Sequence, residues 1–271
     1  MNSYVPSARN DLNRFHSLLA SKTPFTFIRF SDGEMEVLRN RYLEIGGDYT
    51  IFRGNRLPSD FPVYDRKKFD PSRDTRFRAA LMDSAKKQGK NYFKGIPTYH
   101  NNMVEDRDFM VSLNGGMSEF ITFSDLLLNC NYVSFRKRIV PLFAAAENLA
   151  LVANYRSVPQ GELSRARLVP IGDSIFERYE ETLSEVLALA GQLPSGSVVL
   201  SSASSFSNIL GMTLYDLRPD LLFLDIGTAL NDLLGLKSVT RAYHRLYFIH
   251  GLYDRLFSLR YRLTKEYRIK W

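Results

Sequence analysis

Phe25-Thr-Phe-Ile-Arg-Phe-Ser-Asp-Gly-Glu34 is the stretch on which the reading of the chain turns. Phe25 to Phe30 has the aromatic and β-branched content of a buried strand, and Met35 to Leu43 reads as the helix that follows. Asp32 and Glu34 therefore fall at a strand-to-helix turn. In an open parallel sheet, ligands bind outside the carboxyl ends of the strands, where such turns lie. Two carboxylates there, with Gly33 allowing close backbone approach, suit a hard divalent cation that also touches substrate phosphates. The spacing fits equally well an Asp32 that caps the helix and a Glu34 that faces its positive end.

Working outward, Ser7 to Lys22 carries Leu12, Phe15, Leu18 and Leu19 at helical spacing, and Pro24 closes it. Tyr49 to Arg53 is expected to be extended, and Asn55 to Ser72, with Pro58, Pro62 and Pro71, to be a long surface loop and a candidate lid. Arg73 to Gln88 predicts a helix, Asn91 to Pro97 a strand, Asp106 to Leu113 a helix and Phe135 to Glu147 another. Phe120 to Leu128 is apolar without a clear period. Leu149 to Asn154, Leu168 to Gly172, Ser197 to Ser201 and Leu221 to Gly227 predict further strands. Helices are expected over Ser174 to Leu193 and Phe206 to Leu217. This alternation implies an α/β, Rossmann-like, mostly parallel sheet with helices on both faces. No repeat or linker divides the chain, so residues 1–271 are taken as one domain.

The 271 residues, 45% hydrophobic and 24% charged, have the composition of a soluble globular protein. The single cysteine, Cys130, excludes an internal disulfide framework and a multi-cysteine zinc site. With no leader-like N-terminus and no run long enough to span a bilayer, a cytoplasmic protein is expected, at most peripheral to the inner membrane surface. The net charge of +7 favours an anionic partner. Much of that charge lies in Val239 to Trp271, where arginines and lysines interleave with aromatics, a pattern suited to nucleic acid or to an anionic membrane surface and equally to a helix packed on the core.

Other polar groups are expected at strand ends. Ser201 to Ser205 joins a strand to a helix, where hydroxyls and free amides hold phosphate or simply cap the helix. Asp225, before Gly227, is a third acid at a carboxyl edge; Asp173 is a fourth, with a helix cap as the stronger reading. If Asp32, Glu34 and Asp225 converge they make a metal pocket, with Arg29 and Lys94 supplying charge for phosphate. The four histidines show no metal-ligand spacing; His100, just past a strand end, is the one whose position suits a cleft, with a surface histidine as the stronger reading.

Ile28-Arg-Phe-Ser-Asp-Gly-Glu34 is similar to the Arg-Phe-Gly-Asp-Gly-Glu of the GT-D fold glycosyltransferases, whose Asp-x-Glu is the metal and nucleotide motif. Lys94-Gly-Ile-Pro97 and Val198 to Asp232 resemble later segments of that family in the same order. Thr228 stands where the family has histidine after Asp-Ile-Gly, Ala203-Ser-Ser205 replaces its Gly-Pro-Thr, and Asn129-Cys-Asn-Tyr132 lacks the arginine of its Ser-Arg-Pro-Tyr. The resemblance implies a glycosyltransferase that uses a nucleotide-diphosphate sugar, a UDP-sugar foremost, with Mn²⁺ or Mg²⁺ held by Asp32 and Glu34. Arg29, Ser31, Gly33, Lys94, Gly95, Ser204, Ser205, Asn208 and Gly227 are the expected donor contacts; the residues do not identify the base, for which Asp225 and Asp173 are candidates. The expected acceptor is a hydroxyl of DNA or of a lipid- or protein-linked saccharide, and a homo-oligomer is compatible with this. Two other classes stay open: a non-catalytic nucleic-acid or membrane-surface binding protein, and a nucleotide-dependent hydrolase or phosphotransferase.

Overall fold

Alternate side chains of the strand Phe25–Arg29 (β1) point to opposite faces, and each face meets its own apolar layer. Phe25 and Phe27 pack with Phe15 of helix α1 (Ala8–Ala20) and with Phe93. Ile28 and Phe30 join the opposite core, with Phe77, Leu81, Tyr92, Ile209 and Leu210. A strand buried on both faces reads as a continuous apolar run, which is why β1 was legible.

The computed structural model describes residues 6–59, 65–97, 104–128, 131–176 and 178–236. The basic segment from Val239 onward, His100 and Cys130 lie outside them. After β1 come α2 (Asp32–Leu38), β2 (Leu43–Ile45), β3 (Tyr49–Phe52), β4 (Asn55–Pro58), β5 (Lys67–Phe69), α3 (Thr75–Lys86), β6 (Tyr92–Ile96), α4 (Val104–Leu113) and β7 (Ile121–Phe123). The second half holds α5 (Tyr132–Ser134), α6 (Val140–Ala144), β8 (Leu149–Asn154), β9 (Arg167–Ile171), α7 (Tyr179–Ala190), β10 (Val198–Ser202), α8 (Phe206–Leu217) and β11 (Leu222–Asp225). Between α5 and α6, Phe135–Ile139 is a π-helical turn. Pro141 accounts for it, since it cannot donate to the carbonyl of Lys137 and its ring crowds that oxygen.

Seven strands form one sheet in the order β7-β6-β1-β11-β10-β8-β9, with every pairing parallel. The expected Rossmann-like α/β architecture is present. Because β1 lies between β6 and the last strand, β11, the crevice where connections diverge opens at the Asp32 turn. No helix among the described residues is long and apolar enough to cross a membrane.

The expected surface loop is a correction. Asn55–Pro58 and Lys67–Phe69 are strands of a second, antiparallel sheet, β4-β3-β2-β5. Four-residue and three-residue strands rich in charge, one ending in Pro58, carry almost no period-2 signal. The expected helix to Leu43 stops at Leu38 because Leu43 opens this sheet. Polar anchors hold it to the main body: the buried carboxylate of Glu36 accepts from Arg41 at 2.6 Å and from the Arg53 amide at 2.9 Å. Asp106 on α4 accepts from Arg39 at 2.9 Å and from Arg53 at 2.8 Å.

Candidate active site

Ser31 ends the β1 segment and precedes α2, and Glu34 folds back on it in a capping box. One oxygen of Glu34 accepts from the Ser31 amide at 3.1 Å and the Ser31 hydroxyl at 3.0 Å. Its other oxygen accepts from the Ser205 hydroxyl at 2.8 Å, which ties the turn after β1 to the start of α8. Glu34 is 7% exposed, whereas Asp32, at the first helical position, is exposed. The two acids of the motif therefore differ: Glu34 is buried and held by three donors, while Asp32 opens outward.

Asp32 opens into a cavity of about 590 Å³ that runs along the carboxyl edge of the main sheet, with the small sheet as its opposite wall. That volume falls in the range of small-molecule sites. Asp225 lies on the floor, 3% exposed, and accepts from the Gly227 amide at 2.9 Å. Arg29 pairs with it (Nε to Oδ2 3.3 Å) and donates to the Ser124 carbonyl at 3.1 Å, so this guanidinium joins the ends of β11 and β7. Burial pushes the Asp225 carboxyl up to about 6; Arg29 pulls it down and the charge of Glu34 adds to the rise.

Gly227 is required at this point. It has φ +47, and a Cβ there would lie 1.7 Å from Nη2 of Arg29. Gly227→Ala is expected to strain the backbone and force Arg29 off Asp225, leaving a buried carboxylate unpaired, at a cost of about 3–5 kcal/mol. Urea unfolding checks this; an unchanged midpoint would show that the pair tolerates the methyl group.

The expected donor contacts divide. Arg29, Ser31, Gly33, Ser204 and Gly227 line the cavity, as do Asp32, Glu34 and Asp225. Lys94, Gly95, Ser205 and Asn208 do not. Lys94 is paired in register with Ile28 in mid-sheet, and its amine donates to the carbonyls of Ala85 and Lys87 at the end of α3, at 2.8 and 2.7 Å. Gly95 is needed for packing, since a Cβ there would lie 2.8 Å from the Phe123 carbonyl oxygen. Asn208 is buried and donates to the Arg29 carbonyl at 2.7 Å. The serine cluster is mostly internal stitching: Ser201 bonds Ser207, Ser202 donates to the Gly227 carbonyl, and Ser205 donates to Glu34.

Several contributors were missed from sequence, among them Asp65 and Asp125 of the lining. Lys67, at the start of β5, reaches across the cavity and donates to the Ser204 hydroxyl at 2.8 Å. Asn154, the polar end of the buried run of β8, donates to Asp173 at 2.8 Å, and Arg156 also bonds that carboxylate. Asp173 is no helix cap, because α7 begins only at Tyr179. Burial works to raise its pKa, but the bonds from Arg156 and Asn154 outweigh that and hold it below the ordinary aspartate value. Four strand spacings separate β1 from β9, about 19 Å, so Asp32 and Asp173 mark two ends of one trough.

Among the described residues no three carboxylates, imidazoles or thiols form a cage for an ion. A Mg²⁺-like or Mn²⁺-like cation needs none when substrate phosphates and water complete its shell. The exposed carboxylate of Asp32, in a cavity whose described lining holds more acids than bases, fits such an ion, with Glu34 behind it orienting the turn.

No family model matches the chain, and none of the curated proteins matches it in sequence. Solved structures do match in fold. A glycosyltransferase described as DUF1792 from Streptococcus sanguinis superposes with a TM-score of 0.52 at 15% identity, over 85% of this chain and 86% of that one. Two further DUF1792 chains, one described as having a distinct glycosyltransferase fold, give TM-scores of 0.52 and 0.51 at 14% identity, over 83% of this chain and 81% of each. With its parallel sheet, its Asp-Gly-Glu turn and these superpositions, the chain has the distinct glycosyltransferase fold described for DUF1792.

Proposed function

We propose that the chain is a glycosyltransferase that moves a sugar from a nucleotide diphosphate to a hydroxyl acceptor with the help of a divalent cation. The observation that carries this reading is Asp32, exposed at the carboxyl edge of β1 and opening into the long cavity of a glycosyltransferase fold. Asp32 would hold Mn²⁺ or Mg²⁺, with Glu34 fixing the turn; the ion would supply Lewis-acid stabilisation of the departing diphosphate. The acceptor oxygen bonds to the anomeric carbon while the sugar–diphosphate bond breaks, its electron pair leaving with the diphosphate. The acceptor proton passes to a carboxylate. That carboxylate must reach the acceptor beside the anomeric carbon, next to the diphosphate; Asp173, paired with Arg156 about 19 Å along the trough from Asp32, is too far, and Asp225, at the end of the strand next to β1, is the nearer candidate. The acceptor is proposed to be a saccharide or DNA hydroxyl.

The test is turnover of a panel of nucleotide sugars, UDP-sugars first, by the full chain with and without chelator. Sugar transfer that needs the metal and falls by about a hundredfold or more on chelation is the expected result, whereas metal-dependent nucleotide cleavage with no transfer would favour a hydrolase. Absence of binding across the panel would end the reading, and chelator-insensitive transfer would end its metal component.

A further inference from the structure

We propose that Lys67, carried by the small antiparallel sheet, is the residue that receives the diphosphate of the donor. The inference rests on the nucleotide-sugar reading and names the group that would bind the donor's charge. The Lys67 side chain is 14% exposed and lines the cavity beside Asp32, Gly33 and Ser204. Its amine lies 2.8 Å from the Ser204 hydroxyl and 3.5 Å from Oδ1 of Asp65, and 3.9 Å from where a Cβ on Gly33 would be. It therefore sits over the Asp-Gly turn, bridging the ends of β1 and β10.

Charge accounting singles it out. Among the described residues, six carboxylates line the cavity, those of Asp32, Glu34, Asp65, Asp125, Asp173 and Asp225, against two cations, Arg29 and Lys67, with Arg66 near enough to act on Asp173 at the far end. An anionic diphosphate would be repelled from such a surface unless positive charge met it. Arg29 is engaged by Asp225 and the Ser124 carbonyl, Arg156 by Asp173, and Lys94 by the end of α3. Among the described residues, Lys67 is held by a neutral hydroxyl and by one carboxylate at 3.5 Å. An ammonium group has three donors, so a phosphate oxygen can replace or join Ser204 without breaking a close ion pair.

The test is calorimetric titration of the full chain, in Mn²⁺, with UDP, GDP and dTDP and with the matching nucleosides. Lys67→Met keeps the length of the stem and removes the charge; Lys67→Gln stands in if the first variant does not fold, with thermal melting as the check. The expected result is a loss of about tenfold or more in affinity for the diphosphate and less than twofold for the nucleoside. Lys67→Arg should recover part of that loss. Unchanged diphosphate affinity, or equal loss for nucleoside and diphosphate, would overturn the assignment and leave Lys67 as a brace for the wall. Wild-type protein that binds none of the three diphosphates would overturn the nucleotide-sugar reading and this inference with it.

Discussion

Asp32→Asn is expected to lower sugar transfer by about 10²–10³-fold, the loss typical of removing one charged or oriented group that stabilises developing negative charge. The substitution keeps shape and removes the one exposed carboxylate of the Asp-Gly-Glu turn. The fold should hardly notice: an acid at the first helical position contributes about 0.3–1 kcal/mol through the helix dipole. Initial rates over a Mn²⁺ titration, beside a thermal melt, separate the two effects. Transfer within threefold of wild type at every Mn²⁺ concentration would remove Asp32 from the metal site. The neighbouring Glu34 is a poorer probe, because its carboxylate accepts from Ser31 and from Ser205, and changing it disturbs the turn and the start of α8 together.

Lys94→Ala is expected to have the opposite signature, a loss of about 3–5 kcal/mol in stability with donor affinity of the folded protein unchanged. Truncation empties a buried site and orphans the carbonyls of Ala85 and Lys87 at the end of α3. A pH measurement gives a second readout. Burial lowers the Lys94 amine from 10.5 to about 8, so between those values the unfolded chain binds one more proton than the folded one. Stability from this group therefore rises as pH goes from about 8 to 10.5, by about 3 kcal/mol at most. Urea unfolding across that window should show the rise in wild type and its absence in Lys94→Met. A rise of the same size in Lys94→Met would assign it to another group, and weakened donor binding in either variant would return Lys94 to the site.

What the residues made legible was set by how much apolar surface each element buries. Leu149–Asn154 and Phe206–Leu217 lie where the pattern places them, because a strand buried on both faces and a helix with a wide apolar stripe leave strong signals. Of the small sheet only Tyr49–Phe52 was legible as extended; β4 and β5 are short and largely polar, and β2 was read as the end of the preceding helix. Lys94 and Lys67 show the other limit. Both are lysines in extended segments, and only the pleat and the packing determine that one amine meets the end of α3 and the other the cavity. Asp173 was masked in a different way: Ile175 and Phe176 fall at helical spacing with Tyr179, yet they are core residues of a connection that precedes the helix. The Asp-Gly-Glu segment was legible as a strand-to-helix turn at the carboxyl edge, while the different settings of its two acids depended on Ser205, 171 residues away.

The wall that carries Lys67 has an evolutionary corollary. It is one contiguous stretch, Leu43 to Phe69, between α2 and α3, seated on the core through Leu43, Ile45 and Phe69 and fastened to Glu36, Asp106 and Ser204, with none of its described strands in the main sheet. Such a module can lengthen, shorten or be exchanged without altering the register of the seven strands or the position of Asp32. Chimeras that swap this stretch between members of the fold are the natural route to new donor preferences, and drift in sequence should be fastest here and slowest in β1.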